Sequence, residues 1–241
     1  MNYYYITGTS RGIGKALALL LLRDENNYVI GLSRTKTIVH KRYEHINLDL
    51  SNFEQVENYA FIDIIDAQKL ILVNNAGMLG DVKHTGNIDN KQIHKAFMVN
   101  MISPAVLMNN FIKAYGNLAI DKLIVNISSG AGRHAIESWS SYCASKSALD
   151  MFSSVVDIEQ KQINQLNPVK VFSVAPGIVD TQMQDKIREA DEMDFSNVSA
   201  FVNYKKENQL DAPEKTAELL MKIINNPQKY NKVLLDVREI A

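Results

Sequence analysis

Three side chains in the run SSGAGRHAIESWSSYCASK, from Ser128 to Lys146, have the types and spacing that proton transfer to a carbonyl oxygen requires. Tyr142 and Lys146 are four positions apart, so on a helix they share one face, a turn apart. A phenol titrates at about pH 10 and is a poor acid at neutrality. An ammonium about 4 Å away, at an effective dielectric of about 20, is worth about 4 kcal/mol. That would lower the phenol by about three pH units, toward the range where a general acid works best. Ser129 stands thirteen positions before Tyr142, at the end of the strand-like run LIVNISS, where its hydroxyl can donate to the same oxygen. A tyrosine and a lysine at this spacing are by themselves a common helical coincidence, so their weight depends on the elements around them.

Those elements alternate. Short β-rich runs are expected at Tyr3–Thr7, Tyr28–Ser33, His45–Leu48, Leu70–Asn74, Leu123–Ser128, Val169–Ala175 and Lys232–Asp236. Helical patterns lie between them at Gly12–Arg23, Asn52–Ile65, Asp89–Tyr115, Ser138–Ile163 and Pro213–Asn225. This alternation predicts βαβ units: a doubly wound, Rossmann-like, seven-stranded parallel sheet with helices on both faces, in one α/β domain. The strands are apolar on both sides (LILVNN, KLIVNIS), as a sheet covered on both faces requires.

The first strand runs into Gly8, Ser10, Arg11, Gly12, Ile13 and Gly14, and an Ala/Leu-rich helix follows at once. Glycines at such a turn let the backbone approach a pyrophosphate seated on the positive helix N-terminus. The acid that usually takes the ribose 2′-hydroxyl about twenty residues on is replaced here by Arg34, in a stretch with Lys36, His40, Lys41 and Arg42 and no acid. A guanidinium fork matches a 2′-phosphate, and Arg11 can approach the same group, so NADP(H) is the expected cofactor. Asp49, beside Leu50, either accepts from the adenine amino group or, with Ser51, caps a helix. Asn75, Ala76 and Gly77 follow the fourth strand, where small residues allow close passage of a ribose and an asparagine can tie strand ends together. Pro104 predicts a kink or a new helix start that leaves the Asn100 carbonyl open to water. Pro176, Gly177, Val179 and Thr181 follow the sixth strand at the sheet edge where open α/β folds bind ligands, with Thr181 able to receive the nicotinamide amide.

With 241 residues, 46% hydrophobic and 22% charged, the chain is long enough for a full core. A net charge of −1 gives no footprint for nucleic acid or an anionic membrane surface. The longest apolar run, Ala16 to Leu22, is too short to span a bilayer, and the first strand leaves no room for a leader. The single cysteine, Cys143, excludes an internal disulfide and fits a reducing, cytoplasmic compartment. The histidines are scattered, and no metal is expected.

Together TGTSRGIG, NNAG, Asn100, Ser129 with Tyr142-x-x-x-Lys146, and APG with Thr181 resemble the short-chain dehydrogenase/reductase family, in its order and at its spacing. NISSGAG, the Tyr142-Cys143 pair and APGIVDTQMQ are most similar to its sepiapterin reductase-like branch, which includes bacterial benzil reductases. The resemblance implies a tetrad. Tyr142 would donate the proton, Lys146 would hold the nicotinamide ribose and depress the tyrosine pKa, Ser129 would polarise the substrate carbonyl, and Asn100 would support a water. The activity implied is reduction of a ketone or vicinal diketone such as benzil, by a homodimer or homotetramer. The alternatives are a pteridine reductase in which Asp236, in KVLLDV, anchors the pterin, and a non-catalytic NADP(H) sensor. Trp139, three before Tyr142, is either a pocket wall or core, and Asp236 has an ordinary surface role open to it. The polar stretch 181–212 is expected as a substrate lid, or as two short helices docked on the body.

Overall fold

The computed structural model describes residues 1–240. Seven parallel strands form one sheet: β1 (Asn2–Thr7), β2 (Asn27–Ser33), β3 (Tyr43–Asn47), β4 (Lys69–Asn74), β5 (Asp121–Ile127), β6 (Lys170–Ala175) and β7 (Leu234–Asp236). Their order is β3-β2-β1-β4-β5-β6-β7. The chain moves outward from β1 to β3, then returns to β4 on the other side of β1. Strand order therefore reverses between β1 and β4, which opens a crevice at their C-terminal ends.

Side chains alternate across each strand, and in the five central strands both sets are largely buried. On one face Tyr4 and Ile6 pack with Leu17 of α1 (Gly12–Leu21) and Leu220 of α8 (Pro213–Asn225). On the other, Tyr5 and Leu72 pack with Phe111 of α4 (Ser103–Tyr115) and Leu149 of α5 (Ser140–Ile163). The Tyr5 hydroxyl meets that of Tyr115 at 2.8 Å inside this second layer.

Two helical expectations change. The helix expected over Asn52–Ile65 is only α2 (Phe53–Glu57), capped by Asn52 accepting from Gln55 N. Beyond it the chain gives up helix to bury Phe61 edge-on against Tyr5 and Phe111, and the Ile62 carbonyl accepts from Tyr115. The long stretch from Asp89 to Tyr115 splits into α3 (Asn90–Phe97), a widened turn over Met98–Ile102, and α4. Pro104 has no amide hydrogen for the Asn100 carbonyl four residues back, and the helix loosens there. Between β6 and α8 lie α6 (Gln182–Arg188) and α7 (Val198–Lys206), the two short helices of 181–212.

Candidate active site

The crevice is stitched by β1 and β4. Asn75 N and Ala76 N donate to Thr7 Oγ1 at 2.9 and 3.0 Å, and Asn75 Nδ2 donates to the Thr7 carbonyl at 2.9 Å. Gly8 and Gly12 have φ of +75° and +56°, in the left-handed region that disfavours side chains. A methyl on Gly14 would lie 2.3 Å from Asn75 Nδ2 and 2.5 Å from the Gly8 carbonyl, so this glycine lies under the turn rather than on the cavity. Arg11 precedes α1 without a side-chain bond to its first-turn amides, which remain available to an anion. This bare, glycine-cradled helix start fits the pyrophosphate of a dinucleotide.

A cavity of about 1130 Å³ runs from this turn across the sheet edge. At one end it is lined by Ser10, Arg11, Arg34, Asp49 and Leu50. Thr37 fastens the basic loop to the turn by donating to the Ser10 carbonyl at 3.0 Å. Arg42 instead serves the fold, donating to the carbonyls of Leu22 and Asn27 at 2.9 and 3.2 Å. Asp49 Oδ1 accepts from Ser51 N and Oγ at 2.9 and 2.8 Å. Burial would raise its pKa, but those bonds and the Arg34 charge leave it lowered. Asp49 therefore shapes the turn before α2 while facing the cavity.

At the other end the structure brings Ser129, Tyr142 and Lys146 together on the lining, while Thr181 lines the cavity beside the glycine turn, its Cγ2 3.4 Å from where a methyl on Gly12 would stand. Ser129 lies two residues beyond β5 and opens a tight turn at Gly130–Gly132, its hydroxyl accepting from Ala131 N at 3.2 Å. The Lys146 ammonium donates to the Ile127 carbonyl at 2.7 Å and lies 5.9 Å from the centre of the Tyr142 ring. Burial pulls the lysine pKa down from 10.5 to about 8, with Asp150 acting in the opposite sense. The expected depression of the tyrosine is not what the protein alone produces. Burial raises the Tyr142 pKa, and the nearby Ser129 hydroxyl only partly pulls it back. The ammonium donates to a backbone carbonyl and keeps two further N–H groups for other acceptors.

Asn100 is fully buried behind this group rather than on the cavity. Its Nδ2 donates to the Met78 carbonyl at 2.8 Å and to Ser145 Oγ at 3.0 Å, and its Oδ1 accepts from Met78 N at 2.9 Å. A methyl on Gly77 would lie 3.5 Å from both Asn100 Oδ1 and Lys146 Nζ, so the glycine keeps the gap between them open.

Trp139 is both wall and core: it lines the cavity, meets Tyr142 edge-on at 5.8 Å, and carries Phe195 and Phe201 at 5.6 and 5.7 Å. Phe195 has no exposed surface, so 181–212 is docked on the body there, while Met183 and Phe201 reach the cavity. Asp236 also lines the cavity, but its carboxylate is gripped by Arg238 from Nε at 2.8 Å and Nη2 at 2.5 Å. Those bonds hold its pKa below the usual carboxylate range.

Several partners were not legible in the motifs. Glu137 accepts from Ser196 N and Oγ at 3.2 and 2.5 Å and meets His84 at 3.2 Å, fixing the segment before Tyr142 to the loop between α6 and α7. Arg133 and Asp150 meet behind Lys146. The only sequence signal for Asp150 is a carboxylate one helical turn after the lysine.

Residues 2–192 match the family model described as short chain dehydrogenase. The chain belongs to that family. Its members use nicotinamide cofactors and act on carbonyl and alcohol groups, and this chain is an oxidoreductase of that kind. A benzil reductase ((S)-benzoin forming) of Bacillus subtilis is 33% identical over 245 residues, 99% of each chain. A sepiapterin reductase of Xenopus tropicalis is 32% identical over 199 residues, 74% of each. The crystal structure of a short-chain dehydrogenase/reductase from Saccharomyces cerevisiae superposes with a TM-score of 0.83 at 27% identity, covering 99% of this chain and 97% of that one. Among the described residues no helix is long and apolar enough to cross a membrane, and no group of three His, Cys, Asp or Glu side chains could hold a metal.

Proposed function

We propose that this protein is an NADPH-dependent carbonyl reductase acting on an aromatic ketone or vicinal diketone of the benzil type. The observation that carries this reading is the convergence of Ser129, Tyr142 and Lys146 at the end of a cavity that begins on the glycine turn. When bound, the reduced nicotinamide supplies the hydride. The turn at Gly8 and Gly12, with the start of α1, would hold the pyrophosphate, Arg34 and Arg11 the 2′-phosphate, and Lys146 the nicotinamide ribose. Ser129 and Tyr142 orient the carbonyl oxygen by hydrogen bonds, and Tyr142 donates its proton as the oxygen becomes an alkoxide. A raised phenol pKa keeps that proton on Tyr142 until it is needed. Asn100 holds the 77–78 segment beside Lys146, where a water would link the ammonium to solvent.

Leu79, Ile136, Trp139, Met183 and Phe201 give the substrate end apolar walls, and the benzil reductase relative spans nearly the whole chain. The Asp236–Arg238 pair speaks against a free pterin anchor. Segment 181–212 serves as the lid through Met183 and Phe201, which line the cavity. Incubation with NADPH across a panel of ketones, diketones and pterins, followed by NADPH absorbance, tests the assignment; turnover of pterins in preference to diketones would overturn it.

Arg34→Asp should shift the ratio of NADPH to NADH efficiency toward NADH by about 10- to 100-fold, the loss of a charge-assisted contact of about 1.5–3 kcal/mol. An unchanged ratio would mean the 2′-phosphate is held elsewhere. On α5, Met151, Val155 and Ile158 form an exposed apolar stripe, 66%, 44% and 56% accessible, which supports a homodimer through this face. Light scattering after gel filtration should give twice the chain mass, and Val155→Glu should give one chain mass.

A further inference from the structure

Asp150 is a buried carboxylate with no part in the chemistry described above. It lies four residues after Lys146, on the same face of α5 and one turn deeper. Its Oδ2 accepts from Arg133 Nε at 3.2 Å, and its Oδ1 accepts from Ser173 Oγ of β6 at 2.6 Å. Arg133 in turn donates through Nη2 to the Ser173 carbonyl at 3.3 Å and to the Leu235 carbonyl of β7 at 3.1 Å. Arg133 ends the turn that Ser129 opens. The residue before it, Gly132, is pressed so closely on α5 that a methyl there would lie 2.9 Å from the Lys146 carbonyl carbon. One guanidinium thus joins the Ser129 turn, the helix bearing Tyr142 and Lys146, and strands β6 and β7.

We propose that Asp150, fixed by Arg133 and Ser173 one helical turn beyond Lys146, biases the charge of that lysine without pairing with it, and that the Arg133–Asp150 pair is a positioning device locking the Ser129 turn to α5. The inference rests on the assignment of Lys146 and Tyr142 given above. A buried charge pair is a weak source of net stability, but a carboxylate fixed one helical turn from a desolvated ammonium favours the charged lysine. On α5 Lys146 has Tyr142 and Asp150 one turn to either side. The Ser129 turn brings Arg133, which also faces Asp236 of β7. The cavity that Lys146 lines further carries His134, Asp180, Asp185, Lys186 and Arg238, with Lys95 of α3 toward the Asp49 end. From β6 and the widened turn come Ser173 and Asn100.

The two members of the pair act on Lys146 with opposite sign, and this separates positioning from ordinary packing. Reduction needs the ammonium, so kcat should fall as pH rises through the lysine pKa, at about 8. Asp150→Asn keeps the shape but removes the negative charge, and should move that alkaline midpoint down by about one pH unit. Arg133→Gln bares the carboxylate, and should move the midpoint up while lowering kcat as the Ser129 turn loosens. The pH profile of kcat is measured at saturating NADPH on each variant, with circular dichroism reporting the fold and NADPH fluorescence the cofactor affinity. An unmoved midpoint in folded, NADPH-binding Asp150→Asn, or shifts of both variants in one direction, would overturn the proposal. If one variant fails to fold, the sign of the other's shift decides. Failure here leaves the wild-type reduction intact, whereas an error in the Tyr142 assignment shows as activity surviving Tyr142→Phe.

Discussion

Tyr142→Phe should lower kcat for diketone reduction by about 10²- to 10⁴-fold, the range a positioned general acid contributes, with NADPH affinity changed by no more than a few-fold. The ring remains, so its edge-on contact with Trp139 and its place beneath the Lys146 ammonium are preserved. What is lost is the phenol hydroxyl that the cavity presents beside Ser129. Because burial raises the phenol pKa, the wild-type group stays protonated through neutrality, and the defect should be nearly the same at every pH below the lysine limb. Steady-state rates with benzil, paired with fluorescence titration of NADPH, check both halves. A variant retaining more than about a tenth of wild-type kcat would remove Tyr142 from the acid role.

Gly14→Ala should be the most damaging change at the cofactor end. Its methyl would lie 2.3 Å from Asn75 Nδ2 and 2.5 Å from the Gly8 carbonyl, two atoms the β1–β4 stitch holds in place. Overpacking of this kind costs about 1–3 kcal/mol, and the turn that must move to relieve it is the one meant to cradle the pyrophosphate. Urea unfolding should show a lower midpoint, and NADPH affinity should fall at least tenfold. Gly130→Ala gives the contrast, since a methyl there meets nothing within 4 Å, and its unfolding midpoint should hardly move. Equal behaviour of the two variants would contradict the cradle.

The alternation of strands and helices was plain in the sequence because a parallel sheet buried on both faces makes each strand a nearly continuous apolar run. The glycine turn, Ser129, Tyr142 and Lys146 were legible for a related reason: each depends on backbone placement at a strand end or on helical spacing, which sequence records directly. Helix ends were less so. Nothing in ENYAFIDII reveals that Phe61 leaves a helical pattern to join Tyr5 and Phe111, because that preference belongs to distant partners. The electrostatic detail was least accessible. Lys146 looked like a free charge beside the phenol, yet it is committed to the Ile127 carbonyl. Asp236 could be read as a pterin anchor or as a surface carboxylate, and nothing in the motif showed that Arg238, two residues on, closes over it. Arg133 and Asp150 lie seventeen positions apart and meet only because the Ser129 turn folds back on α5.

The central claim is that this site moves a hydride to a carbonyl carbon while Tyr142 protonates the oxygen. Its most direct test is incubation of the protein with NADPH and benzil, following NADPH absorbance and identifying the product. One benzoin should form for each NADPH consumed, with consumption in Tyr142→Phe slower by about 10²- to 10⁴-fold. Tight NADPH binding with no oxidation by benzil or any other ketone or diketone tested would contradict it, and would leave a dinucleotide-binding protein without turnover.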